Sequence, residues 1–319
     1  MADTLLSIKG LVIEATSYPP GEPPKNVTLV HGVDLTLHRG RVLGLIGESG
    51  AGKSTIGLSA MAYGRGGVRL TGGTIHLNGR EIRLADAKAL RNLRGREVTY
   101  VSQSAAASFN PARQIMEQVI ETCLSHGLCG KAEAEKRAVA LFRKLGLPNP
   151  ESIGQRYPHQ VSGGQLQRCM TAMALCPKPD LVIFDEPTTA LDVTTQIDVL
   201  AAIKEAIRDT QVAALYITHD LAVVAQVADE IMVLRHGRMV ELGETGQIIH
   251  RPTQDYTKAL VSVRGLEHTE KAPAPPVLQV QNLTARYRGT NFDVLKNVSV
   301  DLPAGQTLAV VGESGSGKS

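Results

Sequence analysis

Residues 47–55 have the sequence GESGAGKST. Four residues separate Gly47 from Gly52, and Lys53 and Ser54 follow directly, after an apolar run that predicts a strand and before a predicted helix. Glycines let the backbone curl until successive N–H groups point at one anion. Lys53 adds positive charge, the helix start adds its dipole, and the Ser54 hydroxyl is a hard oxygen ligand for Mg²⁺. The stretch therefore predicts a phosphate-binding loop. The residues assigned to nucleotide binding in this loop are Gly47, Glu48, Ser49, Gly50, Ala51, Gly52, Lys53, Ser54 and Thr55.

A second copy of the loop, GESGSGKS, occupies residues 312–319. Residues 30–54 align without a gap on residues 295–319, and LSIKGL from Leu6 matches LQVQNL from Leu278. A repeat this long indicates two whole domains, because solenoid repeats are only about 20 to 50 residues long. The residues assigned to this second phosphate loop are Gly312, Gly315, Gly317, Lys318 and Ser319.

The repeat also predicts the domain organisation. A stretch rich in proline, alanine and charge lies just before the second copy and suits an extended linker. We expect a first unit at residues 1–262, a linker at 263–276 and the start of a second unit at 277–319. On this interpretation the natural protein continues beyond Ser319 into a full second unit.

Composition and charge narrow the possible functions. The 319 residues are 43% hydrophobic and 20% charged, which is typical of a globular protein, and the net charge of +3 gives no support for a nucleic-acid partner. No apolar run approaches the roughly 18 residues of a membrane span. The four cysteines lack CxxC spacing and indicate reduced thiols. We therefore expect a cytoplasmic protein that reaches a membrane only through a partner.

The predicted elements alternate between strands and helices. The runs RVLGLIG, LVIF and ALYIT lack polar alternation, as expected of parallel strands covered on both faces. Between strands lies one predicted helix at residues 110–127, with Asn110 as its cap, and another that starts at Lys131 and ends on Gly146. The sequence therefore predicts an α/β core with a helical insertion at about residues 110–175.

Two adjacent carboxylates follow the strand LVIF. They lie at the strand's C-terminal end, which is the edge where open α/β sheets bind ligands. Asp185 is expected to hold Mg²⁺ through its water shell, and Glu186 to act as the general base on the attacking water. An acidic pair is often only a solvated turn, but a neighbouring phosphate loop favours the catalytic interpretation.

A further glycine turn, SGGQ, precedes a predicted helix and consists of Ser162, Gly163, Gly164 and Gln165. A glycine turn at a helix N-terminus is another anion site, although by itself this one could be an ordinary cap. Because it belongs to the helical side of the domain, we expect it to face a nucleotide held by a different unit.

Together with Gln103 and His219, these motifs resemble those of the ATP-binding subunits of ABC transporters, over residues 5–262 and again from 277 onward. The resemblance implies an α/β P-loop NTPase fold with a mixed sheet and an inserted helical subdomain, and ATP hydrolysis with Mg²⁺. It also implies that Gln103 reaches Mg²⁺ and contacts a membrane subunit, and that His219 contacts the γ-phosphate. Ser54, Gln103 and Asp185 are then the expected Mg²⁺ residues.

In this family two units pack head to tail, and each ATP lies between the phosphate loop of one unit and the SGGQ turn of the other. The loop at residues 190–192 resembles the segment that bridges the two units. The resemblance further implies integral-membrane permease subunits, an extracytoplasmic solute-binding protein and a second ATPase unit as partners, with no nucleic acid. The expected location is the cytoplasmic face of the inner plasma membrane, as a peripheral protein.

The stretches YPHQVSGGQLQR, DEPTTALDVTTQ and RPTQDYTKALV look like the oligopeptide, dipeptide and nickel branch of importers. This implies import of peptides or a similar small solute. Two departures concern the substrate class: Ser104 and Ala105 replace the usual Asp-Pro, and Gln254 and Asp255 replace the usual His-Pro. The alternative is a tandem ABC ATPase without a membrane partner that acts on ribosomes or DNA. The short proline-rich linker and the lack of CxxC favour the importer.

The aromatic residue that stacks on adenine in such proteins is left open. Tyr287 occupies the family position in the second copy, whereas the aligned residue in the first copy is Ala15. Tyr18 is the candidate substitute for stacking on adenine. An equally good interpretation is that Tyr18 is an exposed loop tyrosine without this role.

Overall fold

The computed structural model describes residues 3–189, 191, 193–262, 274–286, 288–289 and 291–311. Several predicted features lie outside the described residues: the second phosphate loop with Gly312, Gly315, Gly317, Lys318 and Ser319, together with Ala190, Asp192, Tyr287 and most of the linker.

Strands and helices alternate through most of the described part. In chain order the strands are β1 (Thr4–Ser17), β2 (Lys25–His38), β3 (Val42–Ile46), β4 (Val68–Leu77), β5 (Arg80–Glu81), β6 (Val98–Val101), β7 (Leu181–Asp185), β8 (Ala213–Ile217), β9 (Glu230–Arg235), β10 (Arg238–Glu244), β11 (Pro276–Ala285) and β12 (Leu295–Pro303). The helices are α1 (Lys53–Ser59), α2 (Ala87–Leu93), α3 (Ala105–Ser108), α4 (Ile115–Ser125), α5 (Lys131–Lys144), α6 (Gly163–Leu175), α7 (Val193–Thr210), α8 (Leu221–Val227), α9 (Thr245–His250) and α10 (Asp255–Ser262).

The central sheet has the strand order β10-β9-β3-β8-β7-β6. All neighbours pair in parallel except β10, which is antiparallel to β9, so the sheet is mixed. Every residue of β3, β7 and β8 is buried. The prediction of parallel strands covered on both faces is confirmed, and it places the C-terminal ends of β3, β6, β7 and β8 at one edge.

A second, antiparallel sheet in the order β2-β1-β4-β5 packs against one face of the central sheet. Its inward residues, among them Leu6, Ile8 and Leu35, are at most 1% exposed. They share a core with Ile56 of α1 and Ile183 of β7. Each Å² of apolar surface that is buried stabilises the fold by roughly 25 cal/mol, so this shared core holds α1 and the loop before it against the sheet.

The opposite face of the central sheet is covered by α4 to α7, which form a separate core. On α4 the residues Ile115, Val119 and Cys123 are fully buried, as the helical spacing predicts. The predicted start of that helix at Asn110 is wrong, because α4 begins at Ile115. Asn110 instead forms a turn in which its side chain accepts a hydrogen bond from the Ala112 N–H at 2.9 Å.

The antiparallel pair of β11 and β12 reproduces the register of β1 and β2. Leu6 pairs with Leu37, and the residues that the sequence repeat aligns with them, Leu278 and Leu302, also pair. The repeat is therefore structural as well as sequential over these strands. Among the described residues there is no helix whose length and apolar character would let it cross a bilayer.

Candidate functional site

The phosphate-binding loop connects β3 to α1 and requires glycine at two positions. Gly47 has a φ of +151°, and a Cβ there would lie 2.1 Å from the carbonyl oxygen of Leu234. Gly52, directly before α1, has a φ of +93° and lies in the left-handed region. Between them Glu48, Ser49 and Gly50 are exposed, so the loop is open to solvent.

Lys53 is the first residue of α1 and its side chain turns back into the loop. Its Nζ donates hydrogen bonds to the carbonyl oxygens of Gly47 at 2.8 Å and Glu48 at 3.0 Å. The residue is only 6% exposed. Burial lowers the pKa of the Lys53 ammonium, and the negative charges of Glu186 and Asp185 oppose that effect. The positive charge of the loop is thus held beside both carboxylates.

Asp185 ends β7 and both of its carboxylate oxygens accept hydrogen bonds from hydroxyl groups. Ser54 Oγ donates to Oδ1 at 2.8 Å, and Tyr100 Oη donates to Oδ2 at 2.6 Å. Burial, together with the hydrogen bond to Asp185 and its charge, raises the pKa of Tyr100, so the phenol remains a donor. The predicted Mg²⁺ residues Ser54 and Asp185 are in contact. Sequence reasoning missed Tyr100, because a tyrosine inside a short strand carries no separate signal.

Glu186 follows β7 in the left-handed region, with a φ of +49°. Its N–H donates to the carbonyl oxygen of Ile217 at 2.9 Å, so the backbone at Glu186 is attached to the end of the neighbouring strand β8. Three side chains contact its carboxylate: Gln103 Nε2 at 3.3 Å, Thr189 Oγ1 at 3.1 Å and His219 Nδ1 at 3.2 Å. The structure therefore brings the predicted residues Gln103, Glu186 and His219 together, and it adds Thr189, which the motifs did not single out.

The SGGQ turn forms the start of α6. The Ser162 side chain accepts from the Gln165 N–H at 3.3 Å, and the Gln165 side chain accepts from the Ser162 N–H at 3.1 Å, which is a capping box. Ser162 and Gly163 are exposed. Gly164 packs so closely on α7 that a Cβ would lie 2.3 Å from Cγ2 of Thr195. The two capping hydrogen bonds therefore join residues within the turn, while Ser162 and Gly163 face the solvent.

Tyr18 lies just after β1, in the loop that leads to β2, and is 76% exposed. The aligned residue Ala15 lies within β1, where it pairs with Val27 of β2.

The residues of the loop fit a nucleotide with Mg²⁺. Gly50 is exposed, and a Cβ added there would meet no atom within 4 Å, so the space beside its backbone is open to a phosphate. The hydroxyl of Ser54 and the carboxylate of Asp185 are the hard oxygen ligands that Mg²⁺ prefers. A buried lysine ammonium beside them supplies the charge that a phosphate requires.

Comparison with known proteins identifies relatives of this chain. The family model described as ABC transporter matches residues 30–189. The glutathione import ATP-binding protein GsiA of Escherichia coli strain K12 is 35% identical over 97% of this chain and 56% of its own length, and that of Salmonella choleraesuis strain SC-B67 is 35% identical over 99% and 57%. The chain therefore spans about half the length of these curated relatives.

Solved structures show the same fold. The dimeric post-hydrolysis state of the ATP-binding cassette MJ0796 with ADP and Pi has a TM-score of 0.65 at 23% identity, over 76% of this chain and 99% of that one. The protein cbiO1 from Clostridium perfringens, part of the transporter complex cbiONQ, has a TM-score of 0.63 at 20% identity, over 82% and 96%. At these identities the likeness establishes the fold and nothing further.

Proposed function

The chain belongs to the ABC transporter family of ATP-binding proteins, and from this premise we propose that it hydrolyses ATP to drive a membrane importer. One observation carries the proposal: Gln103 and His219, distant in sequence, both contact the carboxylate of Glu186 beside the Ser54–Asp185 pair. A purely structural turn has no need for this convergence of a base, an amide and an imidazole at a phosphate loop.

The phosphate loop binds and orients the nucleotide. ATP bound with Mg²⁺ supplies the phosphoanhydride that is cleaved. Lys53 donates to its own loop carbonyls in the structure, so it exchanges these partners for the β- and γ-phosphates. Ser54, Gln103 and Asp185 are the residues that would hold Mg²⁺.

Glu186 is the proposed general base. Its carboxylate accepts the proton of the attacking water. In the structure Gln103 and Thr189 hold Oε2, and His219 contacts Oε1. His219, with a side chain that is 55% exposed, is free to turn from Glu186 toward the γ-phosphate. Catalysis is then mostly positioning and stabilisation of charge.

We propose that the SGGQ turn completes the site of another unit. Ser162 and Gly163 are exposed at the N-terminus of α6, where backbone N–H groups and the helix dipole favour a phosphate. Residues 1–262 act as one unit in this scheme, and residues 277–319 belong to a second one. The shared register of β1–β2 and β11–β12 supports that division.

The importer assignment is supported by the relatives. The curated proteins that match are named as glutathione import ATP-binding proteins, and glutathione is a peptide. We propose import of a peptide or similar small solute, permease subunits and an extracytoplasmic solute-binding protein as partners, and a peripheral position on the cytoplasmic face of the inner membrane. The transport cycle couples closure of two ATPase units on ATP to movement of the permease.

The experiment that tests ATP binding uses Lys53→Ala in the full-length protein. We expect the affinity for a fluorescent ATP analogue to fall about 100-fold, because more than one charge-assisted hydrogen bond is lost. The matched control is Lys258→Ala, since Lys258 is an exposed lysine paired with Asp255 on α10. Equal affinities of Lys53→Ala and the wild type would contradict the proposed site.

A further inference from the structure

Tyr100 lies beside the predicted metal site without belonging to any of its motifs. It is part of β6, the edge strand of the central sheet, and pairs in register with Ile183 of β7. Side chains two residues apart on a strand share a face, so Tyr100, Ile183 and Asp185 point to the same side. The phenol thereby reaches Asp185 Oδ2 and donates a hydrogen bond of 2.6 Å.

The two oxygens of Asp185 are held from two different elements. Ser54, in the first turn of α1, donates to Oδ1, and Tyr100, on β6, donates to Oδ2. The carboxylate is only 7% exposed, so water does not readily replace either donor. Rotation of the carboxylate about its terminal torsion would therefore break at least one hydrogen bond to a charged group.

We propose that Tyr100 is a positioning residue that fixes the Asp185 carboxylate in the orientation required by the metal-loaded nucleotide. The proposal rests on the proposed function, since it concerns the same site. Hydrogen-bond donors that orient a metal-binding carboxylate commonly change metal affinity by about 10- to 100-fold when they are removed. Tyr100 itself touches neither phosphate nor metal in this scheme; it acts through Asp185.

A merely structural role for the phenol makes a different prediction. A half-buried tyrosine hydroxyl requires some partner, and loss of that partner would disturb the site as a whole. Removal of the hydroxyl would then lower the affinity for metal-free and for metal-loaded nucleotide by the same factor. A positioning role affects only the metal-loaded form, because metal-free nucleotide depends on the loop backbone and Lys53.

The test compares Tyr100→Phe with the wild type in the full-length protein. The affinity for a fluorescent, non-hydrolysable ATP analogue is measured once in EDTA and once with Mg²⁺. We expect unchanged affinity in EDTA and roughly 10-fold weaker affinity with Mg²⁺. The matched control is Tyr63→Phe, because Tyr63 is 42% exposed and its ring contacts the Arg94 guanidinium at 5.4 Å instead of Asp185.

A double-mutant cycle with Asp185→Asn gives a second readout. If Tyr100 acts through Asp185, Tyr100→Phe should change Mg²⁺-dependent binding little further in the Asp185→Asn background. Equal losses with and without Mg²⁺, or an additive loss in the double mutant, would overturn the positioning role alone. A wild-type protein whose nucleotide affinity does not respond to Mg²⁺ would instead contradict the proposed function, and the role of Tyr100 would fall with it.

Discussion

The substitution Glu186→Gln separates the catalytic role of this residue from its structural role. Glutamine keeps the shape of the side chain and removes the charge and the basicity. If Glu186 is the general base, we expect ATP to bind as in the wild type while hydrolysis nearly stops. The protein should then accumulate in the closed, ATP-bound state.

The contacts of the Glu186 carboxylate indicate how much Glu186→Gln should change the free energy of unfolding and the rate of hydrolysis. A glutamine oxygen can still accept from Gln103 Nε2 and Thr189 Oγ1, which lie 3.3 Å and 3.1 Å from Glu186 Oε2. Its amide can face His219 Nδ1, 3.2 Å from Oε1, with the ring in the tautomer that accepts. The free energy of unfolding should therefore change by less than about 1 kcal/mol. Loss of the base should slow hydrolysis about 10²- to 10⁴-fold, which raises the barrier by roughly 3 to 5 kcal/mol.

The assay measures phosphate release at saturating ATP and Mg²⁺, with equilibrium binding of ATP and thermal unfolding of the same samples. The matched control is Glu244→Gln, since the Glu244 side chain is 68% exposed and pairs with Arg41. Phosphate release by Glu186→Gln within a few-fold of the wild-type rate would refute the reasoning. A slow variant that also binds ATP poorly would show that the carboxylate serves binding and not catalysis.

Two further predictions concern stability. Gly164→Ala should lower the free energy of unfolding by about 1 to 2 kcal/mol in a denaturant titration, because the new Cβ would lie 2.3 Å from Cγ2 of Thr195; an unchanged midpoint would contradict this packing. Glu241 is 6% exposed and accepts hydrogen bonds from the N–H and Oγ1 of Thr253 and the N–H of Gln254. Burial alone would raise the pKa of the Glu241 carboxyl, but the hydrogen bonds from Thr253 and Gln254 outweigh it and lower the pKa. The stabilisation is therefore present above the unfolded carboxyl pKa of about 4.3 and is lost as the pH falls through the folded pKa. Glu241→Gln should cost about 1 to 3 kcal/mol at pH 7, and calorimetry should show the difference from the wild type shrinking below about pH 4; a constant difference would contradict the account.

The sequence predicted part of the site. Parallel strands deliver their C-terminal ends to one edge, which favours the loop after β3 and the carboxylates at the end of β7 lying along the same edge. The expectation that His219 belongs there came from the family resemblance. The helix α6 could also be located, because SGGQ carries the pattern of a cap followed by a helical run.

Other features depend on pairings that no local pattern contains. The contact of Tyr100 with Asp185 follows from the register of β6 on β7, which cannot be read from either strand alone. The start of α4 was misplaced because the side chain of Gln118, one helical turn inside, accepts from the N–H of Asn110 at 2.7 Å. This contact stabilises a turn where the sequence pattern had favoured a helix cap.

The stretch RPTQDYTKALV at residues 251–261, here called the tail motif, is a third feature whose contacts no local pattern contains. Its residues Thr253 and Gln254 donate to Glu241 of β10, and the ring of Tyr256 lies 4.6 Å from the guanidinium of Arg235 on β9. The sequence showed only that the tail resembles that of an importer branch. The structure shows that these residues contact β9 and β10, the two strands at one end of the central sheet.

The proposed coupling to a membrane permease is tested most directly by affinity purification of the full-length protein from detergent-solubilised native membranes, followed by mass spectrometry. We expect stoichiometric permease subunits with many membrane spans, retained by the wild type and by Glu186→Gln. Recovery of ribosomal proteins or nucleic-acid enzymes without any permease would contradict it.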